Sequence, residues 1–348
     1  NHPASKVYDK TLASINVFEF ATTTKKTHQR QDVCIPKELK RTSICLNDRS
    51  LCSKTSDNDG DFGKILFAKL KFACETDRSQ TEVAVKIIHS NAARRLFLRE
   101  AFVASQLEHL NICGLIGVCT TGWPQEQSLV VYEHSPSLLT YLESLKHTTI
   151  SGSTQEQQLR DCCVGVVDGL SYLTSCKFML NGFSSHSVAM KRGNVAQVVL
   201  TGVALDHLEE SEYLVFSHHS NDNDSDNDND SDSDSVDSNT KVPIRWAAPE
   251  VLSLNSLSEK AMVWSLGVVC WQVFTLGEEP YENVATSDIL THLLDHGCTL
   301  QVTGSSICSP EFFTKAIQPC LNVHRNSRLV FCVCYLVNFC CLFRARLS

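Results

Sequence analysis

Two groups of side chains in this 348-residue chain could carry chemistry by type and spacing alone. The first is its seventeen cysteines. Thiolates hold zinc when two closely spaced pairs converge, and no two CxxC motifs occur, so a zinc site is not expected. The cysteine count is odd, and the cysteines fall in segments that read as helix or strand. The spacing predicts reduced, mostly buried thiols in a cytosolic protein. The second group is an acidic tract. Eight aspartates lie between Asp222 and Asp237, alternating with Asn and Ser. Calcium loops built this way need a glycine at the sharp turn and a closing bidentate glutamate, and the tract has neither. Residues 217–239 are nearly free of apolar side chains and cannot bury enough surface to offset their ordering entropy, so they read as a disordered insert. The net charge of −8 equals these eight aspartates. No basic cluster remains to neutralise phosphates, which excludes nucleic acid as a partner.

The elements that would position any site can be read from periodicity. Residues 1–40 are polar and aperiodic, a leader or juxtamembrane linker. Phe62–Leu70, Glu82–Ile88, Leu115–Cys119 and Ser128–Tyr132 read as strands, with an amphipathic helix over Arg94–His109 between the second and third. Helices are predicted over Leu138–Leu145, Leu159–Leu173, Ala261–Phe274 and Ser287–His296. Val188–Met190 and Val195–Leu200 flank a turn at Gly193 and Asn194, residues that accept positive φ. This order predicts an α+β fold of two lobes: a small β-rich lobe over 41–134 and a larger helical lobe over 135–328, with 217–239 inserted in the second. Residues 329–348 form an apolar tail. Its run Leu329–Phe343 is broken by Asn338 and is shorter than the roughly 20 residues that span a bilayer, so a buried terminal helix is expected. The first residue is Asn1, as in a fragment of a longer protein.

Within this frame five motifs occur in order: Val83-Ala84-Val85-Lys86; Leu98-Arg99-Glu100-Ala101; His109–Cys119 (HLNICGLIGVC); Lys241–Glu250 (KVPIRWAAPE); and Trp264–Val268 followed by Thr275-Leu276-Gly277 and Pro280-Tyr281. Together they resemble the protein tyrosine kinases over roughly residues 50–328. The resemblance implies a nucleotide cleft lined by Gly60, Gly63, Ala84, Lys86, Glu100 and Glu133, where Lys86 holds phosphates and Glu100 holds Lys86. It implies a structural ion pair between Glu250 and Arg328. Tyr132 falls at the back of the cleft, and Tyr213 falls in the loop before the acidic tract as a phosphorylation site.

The chain departs from the pattern where phosphoryl transfer is done. Asn58 stands at the first position of the glycine-rich loop, and Asp57, Asp59 and Asp61 oppose phosphate there. Gly182 stands where the resemblance puts the catalytic aspartate, Asn181 where it puts arginine, and Ser187 where it puts a metal-binding asparagine. Gly202 stands at the magnesium-binding aspartate, with Asp206 as a rival four residues on. Met262 replaces an aspartate that supports the catalytic loop, and a thioether cannot accept its amide hydrogen bonds. The chain is therefore identified as resembling a degenerate member, a pseudokinase of the Ryk/Derailed-like receptor kind. That resemblance implies no required cofactor, weak ATP binding and no magnesium site. It further implies signalling proteins or another kinase as partners, and a cytoplasmic location with any membrane anchor outside this sequence. The alternatives are a weakly active kinase using relocated groups such as Asp206, and a degenerate gene product whose tail was read past an exon boundary.

Overall fold

The computed structural model describes residues 36–46, 64–71, 80–88, 98, 100–121, 127–148, 152–180, 182–200, 210–218, 238–301 and 307–330. The first lobe is a five-stranded antiparallel sheet of order β1-β2-β3-β5-β4. Its strands are β1 (Ile44–Leu46), β2 (Lys64–Lys71), β3 (Gln80–Ile88), β4 (Leu115–Cys119) and β5 (Ser128–Glu133). Val83, Val85 and Ile87 alternate along β3 into one apolar cluster with Leu70, Leu129 and Val131. A half-buried strand dictates that period-two pattern. Between β3 and β4, helix α1 appears at 98 and 100–105. It stops at Ser105, short of the His109 predicted from periodicity. Ser105 Oγ donates back to Phe102 O at 2.7 Å, and the chain then turns to bring Asn111 onto the second lobe.

The lobe also begins earlier than residue 41. Leu39 N donates to Val118 O (2.7 Å) and Val118 N to Lys37 O (2.8 Å). The Glu38 carboxylate accepts from Thr120 N (2.7 Å), Thr121 N (3.2 Å) and Thr120 Oγ1 (3.1 Å). Residues 36–40, read as leader, are thus strapped to the outer edge of β4. Gly117 makes room for them, since a Cβ there would lie 2.4 Å from Lys37 O.

The second lobe is helical. Helix α2 (Leu138–Lys146) is capped by Ser137, whose side chain accepts from Thr140 N, and buries Leu138, Leu142 and Leu145 at helical spacing. Helix α3 (Gly152–Ser175) starts seven residues before the predicted Leu159. Short helix α4 (Pro249–Leu254) ends at Asn255 in the left-handed region. Helix α5 (Glu259–Phe274) is capped by Ser258 and is buried at every position from Ala261 to Phe274. A helix apolar on all faces belongs at the centre of a domain, and the other elements pack around it. Helix α6 (Ile289–His296) follows. Helix α7 (Pro310–Phe312) continues as the turns Phe313–Ile317 and Gln318–Leu321.

Two hairpins complete the lobe. β6 (Val188–Lys191) pairs with β7 (Val195–Val198) around Gly193 and Asn194, both at positive φ. β8 (Tyr213–His218) pairs with β9 (Ser238–Pro243). This second pairing corrects the sequence reading twice. Tyr213 is the first residue of a strand, not part of a loop, and Ser217, His218, Ser238 and Asn239 are strand residues at the margins of the acidic segment. The central part of that segment, 219–237, lies outside the described residues, as does the tail beyond Val330. Ten cysteines are described, none of them in a disulfide, and seven are buried.

Candidate functional site

The candidate site lies where the strands of the first lobe meet the loops of the second. Lys86 sits on the central strand β3 and is only 2 % exposed. Leu98 and Ala101 pack α1 into the core and so carry Glu100 inward. Glu100 Oε1 is out of contact with water and accepts no hydrogen bond. Burial pushes the Glu100 carboxyl above its ordinary range, while the Lys86 charge pulls it down. The two charges therefore act on each other in a low-dielectric interior, where an ion pair is screened far less than on a surface.

β3 and β5 run side by side, so Ala84 stands opposite Tyr132 and Val83 opposite Glu133. Tyr132 is buried. Glu133 closes β5 with its N–H on Gly114 O (3.0 Å). Its carboxylate pairs with Lys191 of β6 at 2.9 Å. This contact bridges the two lobes; both side chains are more than a third exposed, so it contributes little energy. A second bridge is stronger. Asn111 Nδ2 donates to Ala196 O (2.8 Å), Val198 N to Asn111 O (2.8 Å) and Cys113 N to Val198 O (2.8 Å). Neither Lys191 nor the role of Asn111 is legible from the sequence, because both depend on which segments the fold brings together.

In the second lobe, Gly182 holds φ at +80°, in the left-handed region that side chains disfavour. Ser187 ends a short turn, with its N–H on Ser184 O and its carbonyl accepting from Val199 N, both at 2.9 Å. The Oγ atoms of Ser184 and Ser185 are buried and lack a hydrogen-bond partner. Met262 and Gly182 line one small cavity of about 20 Å³, together with Leu180, Phe183 and Val251. That is room for about one water. A methionine at position 262 presents that space with thioether and methylene surface in place of a hydrogen-bond acceptor. Gly60, Gly63, Asn181, Gly202 and Asp206 lie outside the described residues.

The segment that follows β9 is held firmly. The Arg245 guanidinium donates to Pro280 O (3.0 Å), Tyr281 O (2.8 Å) and Val284 O (3.3 Å). Ser265 Oγ donates to Trp246 O at 2.8 Å. Beneath them Arg328, with its side chain sealed from solvent, spends every donor. Two go to the Glu250 carboxylate (2.6 and 2.7 Å). The others reach Asn322 O (2.6 Å), Lys260 O (3.1 Å) and Val323 O (3.2 Å). The planar fork of arginine matches a carboxylate in this way, and full satisfaction is what makes a buried charge tolerable.

A family model described as protein tyrosine and serine/threonine kinase matches residues 55–224 and 222–336. The chain belongs to the protein tyrosine kinase domain family. Its two-lobed α+β architecture is the kinase fold. Among curated proteins it is similar to human ephrin type-A receptor 8, 29 % identical over 236 residues, which is 67 % of this chain and 20 % of that protein. It is also similar to the discoidin domain-containing receptor tyrosine kinase B of Caenorhabditis elegans, 26 % identical over 77 % of this chain and 30 % of that protein. A third relative is the tyrosine-protein kinase Btk of Drosophila melanogaster, 27 % identical over 68 % of this chain and 26 % of that protein. The kinase chain thus spans between a fifth and a third of the length of these relatives. Among the described residues no helix is long and apolar enough to cross a membrane.

Proposed function

We propose that this kinase-fold domain is catalytically impaired and acts as a signalling scaffold, a pseudokinase within a receptor-type protein. The observation that carries the reading is Gly182. Phosphoryl transfer needs a carboxylate there to orient the attacking hydroxyl, and this position offers no side chain and a backbone that disfavours one. Gly202 and Ser187, aligned with the two metal-binding positions, supply no carboxylate or amide for magnesium. Met262 removes a polar support from the same loop. Similarity to two receptors, ephrin type-A receptor 8 and discoidin domain-containing receptor tyrosine kinase B, supports a receptor-type protein. Within this proposal the domain is the cytoplasmic part of such a receptor, of the Ryk/Derailed-like kind, with the membrane span outside this sequence. Its partners are then signalling proteins or another kinase, and Tyr213 is the residue such a kinase would modify.

A second reading has its own support. Lys86 is buried and so is the Glu100 carboxylate oxygen Oε1, and the two charges act on each other, which keeps the half of the machinery that grips a nucleotide. Residual ATP binding, weakened by Asp57, Asp59 and Asp61, is compatible with lost transfer. Weak catalysis through Asp206 is the stronger form of this alternative.

Thermal unfolding of the chain with ATP, with ATP plus magnesium, and beside Lys86→Met tests these readings. A ligand at a hundredfold its Kd stabilises by about 2.7 kcal/mol. No magnesium-dependent rise is expected. A rise that requires magnesium and disappears in Lys86→Met overturns the proposal and makes Asp206 the metal ligand to test.

A further inference from the structure

Helix α6 carries two histidines four residues apart, His292 and His296. That spacing puts them one above the other on a single face, the arrangement by which paired helical histidines take zinc. His296 is exposed and His292 half-buried, so solvent reaches both. Their ring centres lie 5.2 Å apart, with the planes tilted by 58°. Two imidazoles bound to one zinc at about 2.0–2.1 Å place their ring centres about 5 Å apart. The pair thus stands at chelating distance.

His292 is also oriented. Its Nε2 lies 2.9 Å from Thr299 Oγ1. With Nε2–H as the donor, that bond leaves the Nδ1 lone pair for a metal, as outer partners of metal-bound histidines do. Tyr281 meets the same ring in a T-shaped contact, 6.0 Å between centres. The Tyr281 hydroxyl is engaged with Cys298 Sγ at 3.4 Å, so this tyrosine is a wall and not a ligand. The helix end supplies the charge. α6 stops at His296, and Gly297 turns the chain at φ +71° with its N–H on Leu293 O. The remaining last-turn carbonyls form the negative end of the helix dipole, which favours a cation. Asp295, exposed in the same turn, adds a negative charge. Among the described residues no third His, Cys, Asp or Glu completes a set of three, which leaves the other positions to water.

We propose that His292 and His296 form a two-imidazole site for zinc on the outer face of α6, with water in the remaining positions. Imidazole suits zinc, copper and nickel, whereas magnesium and calcium select oxygen ligands. The site is separate from the Lys86 cleft and independent of whether the domain transfers phosphate. A metal there ties one turn of α6 to itself and, through Thr299, to the segment that follows.

Nickel–nitrilotriacetate is the probe, because imidazole suits nickel and the chelator leaves adjacent positions open for a pair of rings. The full chain, without a histidine tag and with accessible thiols capped by iodoacetamide, is titrated with it in a calorimeter. One equivalent is expected to bind and to be displaced by free zinc. His292→Gln and His296→Gln change surface residues, so each should keep its metal-free unfolding midpoint while binding weakens at least tenfold. Unchanged affinity in both variants overturns the proposal and moves the metal to other side chains. Loss in only one of them overturns it in favour of a single imidazole. No binding to the intact chain, or binding that zinc does not displace, overturns it as well and leaves a solvated histidine pair.

Discussion

At Gly182 the backbone φ of +80° makes restoration of a catalytic side chain unfavourable. In the left-handed region a Cβ crowds the following carbonyl, a penalty of about 1–2 kcal/mol. Gly182→Asp is expected to lower stability by about 1 kcal/mol in urea denaturation and, if the proposed impairment holds, to give no peptide phosphorylation, since Ser187 and Gly202 would still lack a metal-binding carboxylate. Appearance of activity in this single variant would refute impairment at the catalytic loop. Glu250 and Arg328 show the opposite situation, a residue pair with nothing to spare. Removing one partner leaves the other charge buried, at a cost of about 3–5 kcal/mol. Glu250→Ala is therefore expected to unfold at much lower denaturant, with the slope of the transition unchanged; a loss under 1 kcal/mol would mean that water reaches the guanidinium.

Among the elements, the strap over β4 makes the clearest claim. Residues 36–40 are held by two backbone hydrogen bonds and the Glu38 carboxylate, and Gly117 is the space they occupy. Gly117→Ala puts a methyl group 2.4 Å from Lys37 O, so the strap must lift while the β4–β5 pairing stays. Hydrogen exchange is expected to quicken at the Leu39 and Val118 amides, with little change in β5. Uniform quickening across the sheet would show that the strap and the sheet open as one unit. The β8–β9 hairpin is the other element to notice. It ties Tyr213 to Pro243, beside the segment that Arg245 and Ser265 anchor. A phosphate on Tyr213 would thus act on a strand already paired, not on a free loop.

Across the described residues, buried thiols contribute to the alkaline limit of stability, together with the tyrosines Tyr141 and Tyr281, whose hydroxyls burial also pushes up. Burial pushes Cys113 to about 12, and Cys162, Cys163 and Cys308 also rise above the ordinary thiol value for the same reason. These thiols are held protonated in the fold and ionise more readily once unfolded. Their contribution is complete below the unfolded value near 9 and falls as pH rises through the folded values, because there the unfolded state binds fewer protons. The urea midpoint is expected to hold steady up to about pH 9 and to drop above it, more gently after Cys113→Ser. A midpoint that rises with alkali would show that these thiols are solvated in the native state.

The class of fold and the order of its parts are legible in the amino-acid sequence alone. Strand and helix periodicities in Glu82–Ile88, Leu138–Leu145 and Ala261–Phe274 are local properties of side-chain spacing, and the five ordered motifs fixed the family. Glu250 and Arg328, 78 positions apart, are paired by resemblance alone, and the structure joins them. The tertiary structure decided what depends on approach between distant segments. It ended α1 at Ser105 because Asn111 must reach Ala196. It drew residues 36–40 onto β4 because Gly117 leaves space. It made strands of residues flanking a polar tract because Tyr213–Phe216 find a partner in Thr240–Pro243. It also turned Gly182 from a missing side chain into a backbone conformation. Periodicity reports which face of a segment is apolar; only the packed chain decides which other segment covers that face.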